Sequence, residues 1–193
     1  MFTIHGDRRS GNCLKVLYLA DRLRLTYRWR DVDILAGETR TPAFLDLNPA
    51  GQIPVVQFGD GRCLAQSNAI VLHLARGTEL MPGDSWQEAK VMEWLFWEQY
   101  SHEPNIAVCR YQKLYLGRAD DELDPGRVDK GNRALDRMDT HLRDHAWLVG
   151  TGLTVADICL VAYTRLAADG GFDLSSRPAL RRWIGAVEGE LGI

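Results

Sequence analysis

A short proline-containing segment places the strongest constraint on the fold of this chain. The run Asn48-Pro-Ala-Gly-Gln-Ile-Pro-Val-Val56 sets Pro54 directly before a β-like pair, where it removes a backbone donor. The backbone of Ile53 is therefore expected to be free to pair with an extended peptide. Ten residues after this run, Gln66 and Ser67 end a strand and open an apolar helix, and helix N-termini hold carboxylates. The combination indicates a site for a small anionic peptide.

Bulk composition excludes several other classes of protein. The chain has 193 residues, 46% hydrophobic and 25% charged, which is ordinary for a soluble globular protein of one large or two small domains. A net charge of −3 gives no support to binding of nucleic acid or of a membrane surface. No apolar run approaches the roughly 20 residues that cross a bilayer, and no secretory signal is visible. The four cysteines lack CxxC spacing, so we expect no metal site, no disulfide scaffold and a cytoplasmic location.

The first part of the chain alternates strand and helix patterns. Phe2–His5 and Tyr27–Val32 are predicted strands, joined by a helix from Cys13, and this order predicts two parallel strands. Gly37–Arg40 is predicted as loop and Pro42–Leu47 as a short helix. Further predicted elements are an antiparallel hairpin, formed by Val55–Phe58 and Cys63–Ala65, and a helix over Ser67–Ala75.

The remainder of the chain reads as helical. Trp86–Leu116 predicts one long helix or a pair kinked at Pro104, and a further helix runs from Asp124-Pro125 to about His145. Thr154 and Asp157 form a capping box ahead of an apolar run, and a last helix starts near Pro178. The expected organisation is an α/β domain over residues 1–77, a linker over 78–85 and an all-helical domain over 86–193.

Asn-Pro-x-Gly-x-Ile-Pro followed by Gln-Ser-x-Ala-Ile resembles the N-terminal domain of cytosolic glutathione S-transferases, and Ser10-Gly-Asn-Cys13 resembles the loop of the theta-like, bacterial members. The resemblance covers essentially the whole chain. It implies a thioredoxin-like α/β domain with a cis Pro54, followed by an all-α domain. It also implies a homodimer that uses glutathione as cosubstrate and needs no metal.

The resemblance implies a thiol-activating residue in the loop before the first long helix. Ser10 is the first candidate, because a hydroxyl that donates to a thiolate stabilises the charged form and lowers the thiol pKa. Asn12 and Cys13 are rivals, since other bacterial members use Asn or Cys in this loop. Cys13 reads either as a buried helix cysteine or as a thiol whose pKa is lowered by the helix N-terminus. The sequence does not decide which of Ser10, Asn12 and Cys13 activates the thiol.

The resemblance also assigns the residues that would hold glutathione. Ser67 would bind the γ-glutamyl carboxylate, Gln66 the ammonium group, and the backbone of Ile53, beside Pro54, the cysteinyl part. Arg40 and Gln52 are candidates for the glycine carboxylate, with solvated loop residues as the equal alternative. For the second substrate, the predicted apolar pocket contains Tyr100, Tyr111 and Tyr115.

These assignments predict an enzyme that conjugates glutathione to a small hydrophobic electrophile, with neither nucleic acid nor membrane as a partner. One alternative is a glutathione-dependent disulfide or peroxide reductase that uses Cys13 or the sulfur of glutathione itself. The other is a non-catalytic binding module with the transferase fold, like those attached to transcription or translation factors.

Overall fold

The chain changes from mixed α/β structure to helices alone between Thr78 and Ser85, in a computed structural model that describes residues 1–193. Contacts between residues divide it into an N-terminal unit, Met1–Thr78, and a C-terminal unit, Glu79–Ile193. This arrangement, a four-stranded sheet with helices followed by helices alone, confirms the predicted fold class.

A single four-stranded sheet, in the order β2-β1-β3-β4, organises the N-terminal unit. Its strands are β1 (Phe2–Gly6), β2 (Tyr27–Asp31), β3 (Val55–Phe58) and β4 (Cys63–Ala65). β1 and β2 are parallel and the other pairs are antiparallel, which confirms both the β–α–β prediction and the predicted hairpin. The three helices of this unit are α1 (Gly11–Arg22), α2 (Pro42–Leu47) and α3 (Ser67–Ala75).

Local sequence accounts for most of these elements. α2 begins with Pro42 in its first turn, where a missing N–H costs nothing, and the Thr41 hydroxyl accepts a hydrogen bond from the Phe44 N–H at 3.3 Å. The prediction of loop over Gly37–Arg40 was wrong in part, because Glu38–Arg40 forms a 3₁₀ turn. α1 is buried along most of its length and packs against α3.

The C-terminal unit contains five α-helices. They are α4 (Ser85–Trp97), α5 (Glu103–Leu114), α6 (Pro125–Asp144), α7 (Val155–Thr164) and α8 (Pro178–Leu191). A π-helical turn, Glu98–His102, joins α4 to α5. The break in the long helix therefore precedes Pro104, which was the predicted kink. Pro104 instead lies in the first turn of α5, where helices tolerate proline.

α7 is buried along its entire length, and its N-terminus is held by the predicted capping box. The Asp157 carboxylate accepts from the N–H and the hydroxyl of Thr154, each at 2.9 Å, so the hydroxyl serves as a donor to the carboxylate. Burial raises the pKa of Asp157, against the opposing effect of its hydrogen bonds. None of the helices of this chain combines the length and apolar character that membrane crossing requires.

Candidate functional site

The register of the sheet gathers the predicted site residues of the N-terminal unit at one edge. β1 ends at Gly6 and leads into the loop before α1, while His5 pairs with Val55, the first residue of β3. Val55 in turn pairs with Ala65, the last residue of β4. The C-terminal ends of β1 and β4 therefore lie beside the start of β3. This topology brings together the loop before α1, the segment preceding β3 and the start of α3.

Ser10 occupies the N-cap position of α1, with extended backbone angles, but its side chain forms no capping hydrogen bond. Its hydroxyl instead faces the thiol of Cys13, on whose pKa it has a lowering effect. The backbone of the loop is fixed by a 3.0 Å hydrogen bond from the Ser10 N–H to the Asp7 carbonyl. The hydroxyl therefore lies at a helix N-terminus but accepts no hydrogen bond from a helix N–H group.

Cys13 is fully buried, and burial raises its pKa to about 12, against the opposing effect of hydrogen bonds with Asp7 and Ser10. The idea that the helix N-terminus lowers the pKa of this thiol is therefore wrong. The sequence signal for a helix N-terminus was correct, but the desolvation that dominates depends on the neighbouring sheet. Cys13 is a neutral thiol at physiological pH.

Two hydrogen bonds connect the N-terminal part of α1 to the first turn of α3. The Ser67 hydroxyl donates to the Asn12 side-chain oxygen at 3.0 Å, and the ammonium of Lys15 donates to the side-chain oxygen of Asn68 at 3.1 Å. Lys15 is fully buried. The two helix N-termini therefore lie close together, and helix N-termini favour anionic groups. Asn12 and Ser67, predicted for separate roles, are in direct contact.

Gln66 is the sole residue between the end of β4 and the start of α3, so the change from strand to helix takes place at this one residue. Its φ is 69° and its ψ is 108°, a left-handed conformation that a non-glycine residue adopts at a cost of about 1–3 kcal/mol. Its side chain is exposed. A strained residue with a solvent-facing amide next to a helix N-terminus is consistent with a ligand-binding position.

The segment before β3 is shaped by Asn48, whose importance the motif did not reveal. Its side chain accepts from the Ala50 N–H at 3.1 Å and donates to the Gln52 carbonyl at 2.8 Å. The peptide bond from Ile53 to Pro54 is cis, as the resemblance implied. Pro54 is buried and Ile53 is half-buried, which leaves the exposed Gln52 at the start of the segment.

Arg40 reaches the same segment from the 3₁₀ turn. Its guanidinium donates to the Ala50 carbonyl at 3.4 Å. A Cβ at Gly51, whose φ is +60°, would lie 2.5 Å from that guanidinium and 2.9 Å from the carbonyl oxygen of Thr39. The structure therefore brings the Arg40 guanidinium against residues 50 and 51, next to Gln52 in the chain, and Gly51 permits the close approach.

The tyrosines predicted for the second substrate do not form a single group. Tyr111 and Tyr115 stack with their ring centroids 5.1 Å apart, whereas Tyr100 is 87% exposed and lines a cavity to which neither of the other two contributes. No group of three or more histidine, cysteine, aspartate or glutamate side chains in the structure has an arrangement suited to a metal ion.

Gly6 lies so close to Cys13 that there is no room for a larger side chain at residue 6. A Cβ at Gly6 would lie 2.7 Å from the sulfur of Cys13 and 3.1 Å from the Trp29 ring. Gly6→Ala is therefore expected to lower the free energy of unfolding by about 1–3 kcal/mol, through overpacking. Chemical denaturation measures this loss. Adding Cys13→Ala removes the nearest obstructing atom, so the double variant is expected to recover part of it. Unchanged stability in Gly6→Ala alone would contradict the close packing.

Comparison with known proteins agrees with this architecture. Two family profiles match the chain: "Glutathione S-transferase, N-terminal domain" over residues 9–76 and "Glutathione S-transferase, C-terminal domain" over residues 105–190. Glutathione S-transferase theta-3 of Mus musculus is 30% identical over 205 residues, which cover 98% of this chain and 83% of that protein.

Similarity extends to a solved structure and to a protein of another kind. The crystal structure of glutathione S-transferase from Pseudomonas fluorescens Pf-5 has a TM-score of 0.94 and 44% identity, covering 97% of this chain and 94% of that one. Elongation factor 1-gamma of Artemia salina is 30% identical over 131 residues, covering 63% of this chain but 28% of that protein.

Proposed function

We propose, from the premise that this chain belongs to the glutathione S-transferase family, that it conjugates the thiolate of glutathione to a small hydrophobic electrophile. The observation that carries the proposal is the convergence of the Ser10 loop, the segment at Pro54 and the start of α3 at one sheet edge. That edge combines a backbone for pairing, a carboxylate-binding helix end and a hydroxyl.

Glutathione would bind in an extended conformation along the segment before β3. The backbone of Ile53 would pair with the cysteinyl residue, since it precedes the strand and lies outside the sheet ladder. The N–H groups at the start of α3 would hold the γ-glutamyl carboxylate, with the Ser67 hydroxyl oriented by Asn12. Gln66 would accept from the ammonium group. Arg40 and Gln52 would face the glycine carboxylate.

Activation of the bound thiol is assigned to Ser10. Because burial raises the pKa of Cys13 to about 12, its thiol stays neutral and is a weak acceptor for the Ser10 hydroxyl. The hydrogen of the Ser10 hydroxyl then remains available for the sulfur of glutathione. Donation to that sulfur stabilises the thiolate and lowers its pKa. The thiolate attacks the electrophile, one bond from sulfur forms, and the leaving group departs with the electron pair.

The stacked pair Tyr111 and Tyr115 supplies an apolar surface for the second substrate in this proposal. A homodimer is also proposed, because aromatic side chains of α4 and the following turn are largely exposed. Trp86 is 72% exposed, Phe96 73% and Tyr100 87%, so these rings offer apolar surface for a second copy of the chain to bury.

Isothermal titration with glutathione, combined with an assay of chloronitrobenzene conjugation, tests the proposal. We expect saturable glutathione binding and conjugation that depends on it. Binding without turnover of any electrophile would contradict the conjugation step, and the absence of both would contradict the proposal as a whole.

A non-catalytic binding module is the second candidate, and the similarity to elongation factor 1-gamma favours it. This candidate predicts no glutathione binding in the titration. The reductase alternative is weakened where it depends on Cys13, because a buried thiol of pKa about 12 is a poor nucleophile. A reductase that uses the sulfur of glutathione itself would bind glutathione and reduce disulfides without conjugating the electrophile.

The left-handed backbone of Gln66 allows its binding role to be separated from its folding role. Gln66→Gly and Gln66→Ala both remove the amide, so both are expected to weaken glutathione binding by about tenfold or more, the loss of a hydrogen bond to a charged group. Their stabilities should differ, because glycine adopts a φ of 69° readily whereas alanine does not. We expect the glycine variant to be the more stable by about 1 kcal/mol, measured by chemical denaturation.

Gln66→Glu is the matched control for the proposed contact. It adds a negative charge beside the ligand ammonium without shortening the side chain, so tighter binding of glutathione is expected. Equal affinities for glutathione in the three variants and the unaltered protein would show that Gln66 does not bind the ligand. The predicted stability difference between the glycine and alanine variants does not depend on that result.

A further inference from the structure

A cavity of about 230 Å³ lies in the N-terminal unit, where α2 and the 3₁₀ turn before it meet β1 and the end of β2. Liquid water occupies about 30 Å³ per molecule, so the cavity has room for a ligand of about eight non-hydrogen atoms. Part of the wall is apolar, because Val32 and Phe44 pack with Val55 in one buried cluster. The other residues that line the cavity are His5, Arg30, Glu38, Thr41, Ala43 and Leu47.

Two opposite charges line this cavity without pairing. Arg30 and Glu38 both contribute to the wall, yet no ion pair joins them to each other or to a third residue. Both side chains are exposed, so the solvent hydrates their charges in the empty cavity. A guanidinium without a carboxylate partner can bind an anionic group, and a carboxylate without a cationic partner can bind an ammonium group. The wall thus offers one site of each sign.

Arg30 is the only positive charge among the lining residues. It is paired in register with His5 of the neighbouring strand, so the two side chains lie on the same face of the sheet. The His5 ring is buried and lies 3.4 Å from the side-chain oxygen of Gln57. Burial lowers the pKa of His5, so its ring is neutral at neutral pH. A carboxylate in the cavity would therefore bind to Arg30.

Glu38 is held in place by its neighbours. Its N–H donates to the Asp33 carbonyl at 3.1 Å, and its carboxylate accepts from the Asp33 N–H at 2.8 Å. The Thr41 hydroxyl donates to the Glu38 carbonyl at 2.8 Å. A carboxylate has about four lone-pair sites, and the structure uses one of them. The remaining sites form a fixed acceptor for an ammonium group, and such preorganisation favours binding.

We propose that this cavity binds a zwitterionic α-amino acid with an apolar side chain of about the size of leucine. The ligand carboxylate would bind to the Arg30 guanidinium, the ammonium group to Glu38, and the side chain would pack on Val32 and Phe44. A ligand with only one charge would leave Arg30 or Glu38 unmatched. Because Ser10, Gln66 and Ser67 take no part, the inference does not rest on the proposed conjugation.

Isothermal titration of the full chain with L-leucine tests the proposal, in the presence and in the absence of glutathione. Two matched probes have the same branched hydrocarbon and one charge each. 4-Methylpentanoate lacks the ammonium group, and 3-methylbutylamine lacks the carboxylate. We expect L-leucine to bind at least about tenfold more tightly than either probe, since each lacks one hydrogen-bonded charged group. Glutathione should leave the affinity for L-leucine unchanged.

Three variants assign the two charges of the ligand. Arg30→Gln should weaken L-leucine binding about tenfold and leave 3-methylbutylamine binding unchanged. Glu38→Gln should weaken L-leucine binding about tenfold and leave 4-methylpentanoate binding unchanged, and its amide oxygen can still accept from the Asp33 N–H. Arg28→Gln removes the same charge as Arg30→Gln, two residues earlier on β2 and outside the cavity, so the affinity should stay within about twofold.

Four results would overturn the proposal. The first is the absence of L-leucine binding, and the second is an unchanged affinity for L-leucine in Arg30→Gln. The third is equal affinity for L-leucine and 4-methylpentanoate, which would indicate a simple carboxylate site. The fourth is displacement of L-leucine by glutathione, which would place the amino acid in the glutathione site. None of these results contradicts conjugation, which is measured separately with the electrophile.

Discussion

Ser10→Ala is expected to reduce conjugation at neutral pH by about 10- to 100-fold. A hydrogen bond to a charged group contributes about 1.5–3 kcal/mol, and the bound thiolate would lose its donor in this variant. The pKa of the bound thiol should therefore rise by about one to two units. The pH profile of kcat/KM measures this change as a shift of the acid limb to higher pH. Activity should recover at alkaline pH, where the thiol ionises without assistance.

Two further substitutions separate Ser10 from its rivals in the same loop. Ser10→Thr keeps a hydroxyl and should preserve the position of the acid limb. Cys13→Ala removes the thiol that the hydroxyl faces, so a loss of less than tenfold is expected, with the acid limb nearly in place. Should Cys13→Ala cost more activity than Ser10→Ala, the assignment of Ser10 as thiol activator would be wrong.

Local signals in the sequence determined most of what could be predicted. The hairpin of β3 and β4 and the helix from Ser67 depend on residues close together in the chain, and the parallel pairing of β1 with β2 follows from their order around one helix; the structure confirms all three. The capping box of Thr154 and Asp157 is local in the same sense. Each of these predictions needed only turn residues, a helix cap or the regular spacing of apolar residues.

Features that depend on distant residues were beyond the sequence pattern. The raised pKa of Cys13 follows from burial against Gly6 and its surroundings, and the hydrogen bond between Ser67 and Asn12 joins residues 55 apart. The π-helical turn also went unpredicted, because Pro104 gave a stronger local signal for a kink. Candidate site residues were thus identifiable from the sequence, whereas their mutual contacts required the fold.

Asp157→Ala is expected to lower the free energy of unfolding by about 3–5 kcal/mol, more than an ordinary helix cap contributes. The two carboxylate oxygens accept four hydrogen bonds: from the Leu148 N–H at 2.9 Å, the Trp183 ring N–H at 2.8 Å, and the N–H and hydroxyl of Thr154. Asp157 and Trp183 are fully buried, so water cannot replace the lost acceptor. Each buried donor left without a partner costs about 1–3 kcal/mol.

Asp84 provides the matched control for this loss. It caps α4 by accepting from the Gln87 N–H at 2.9 Å, but it is exposed to solvent. Asp84→Ala should therefore cost only about 1 kcal/mol, as for a solvent-accessible cap. Urea denaturation of the two variants measures the difference. Similar losses in both would mean that Asp157 acts only as a helix cap, whereas a larger loss in Asp157→Ala identifies it as the acceptor that joins α7, α8 and the segment at Leu148.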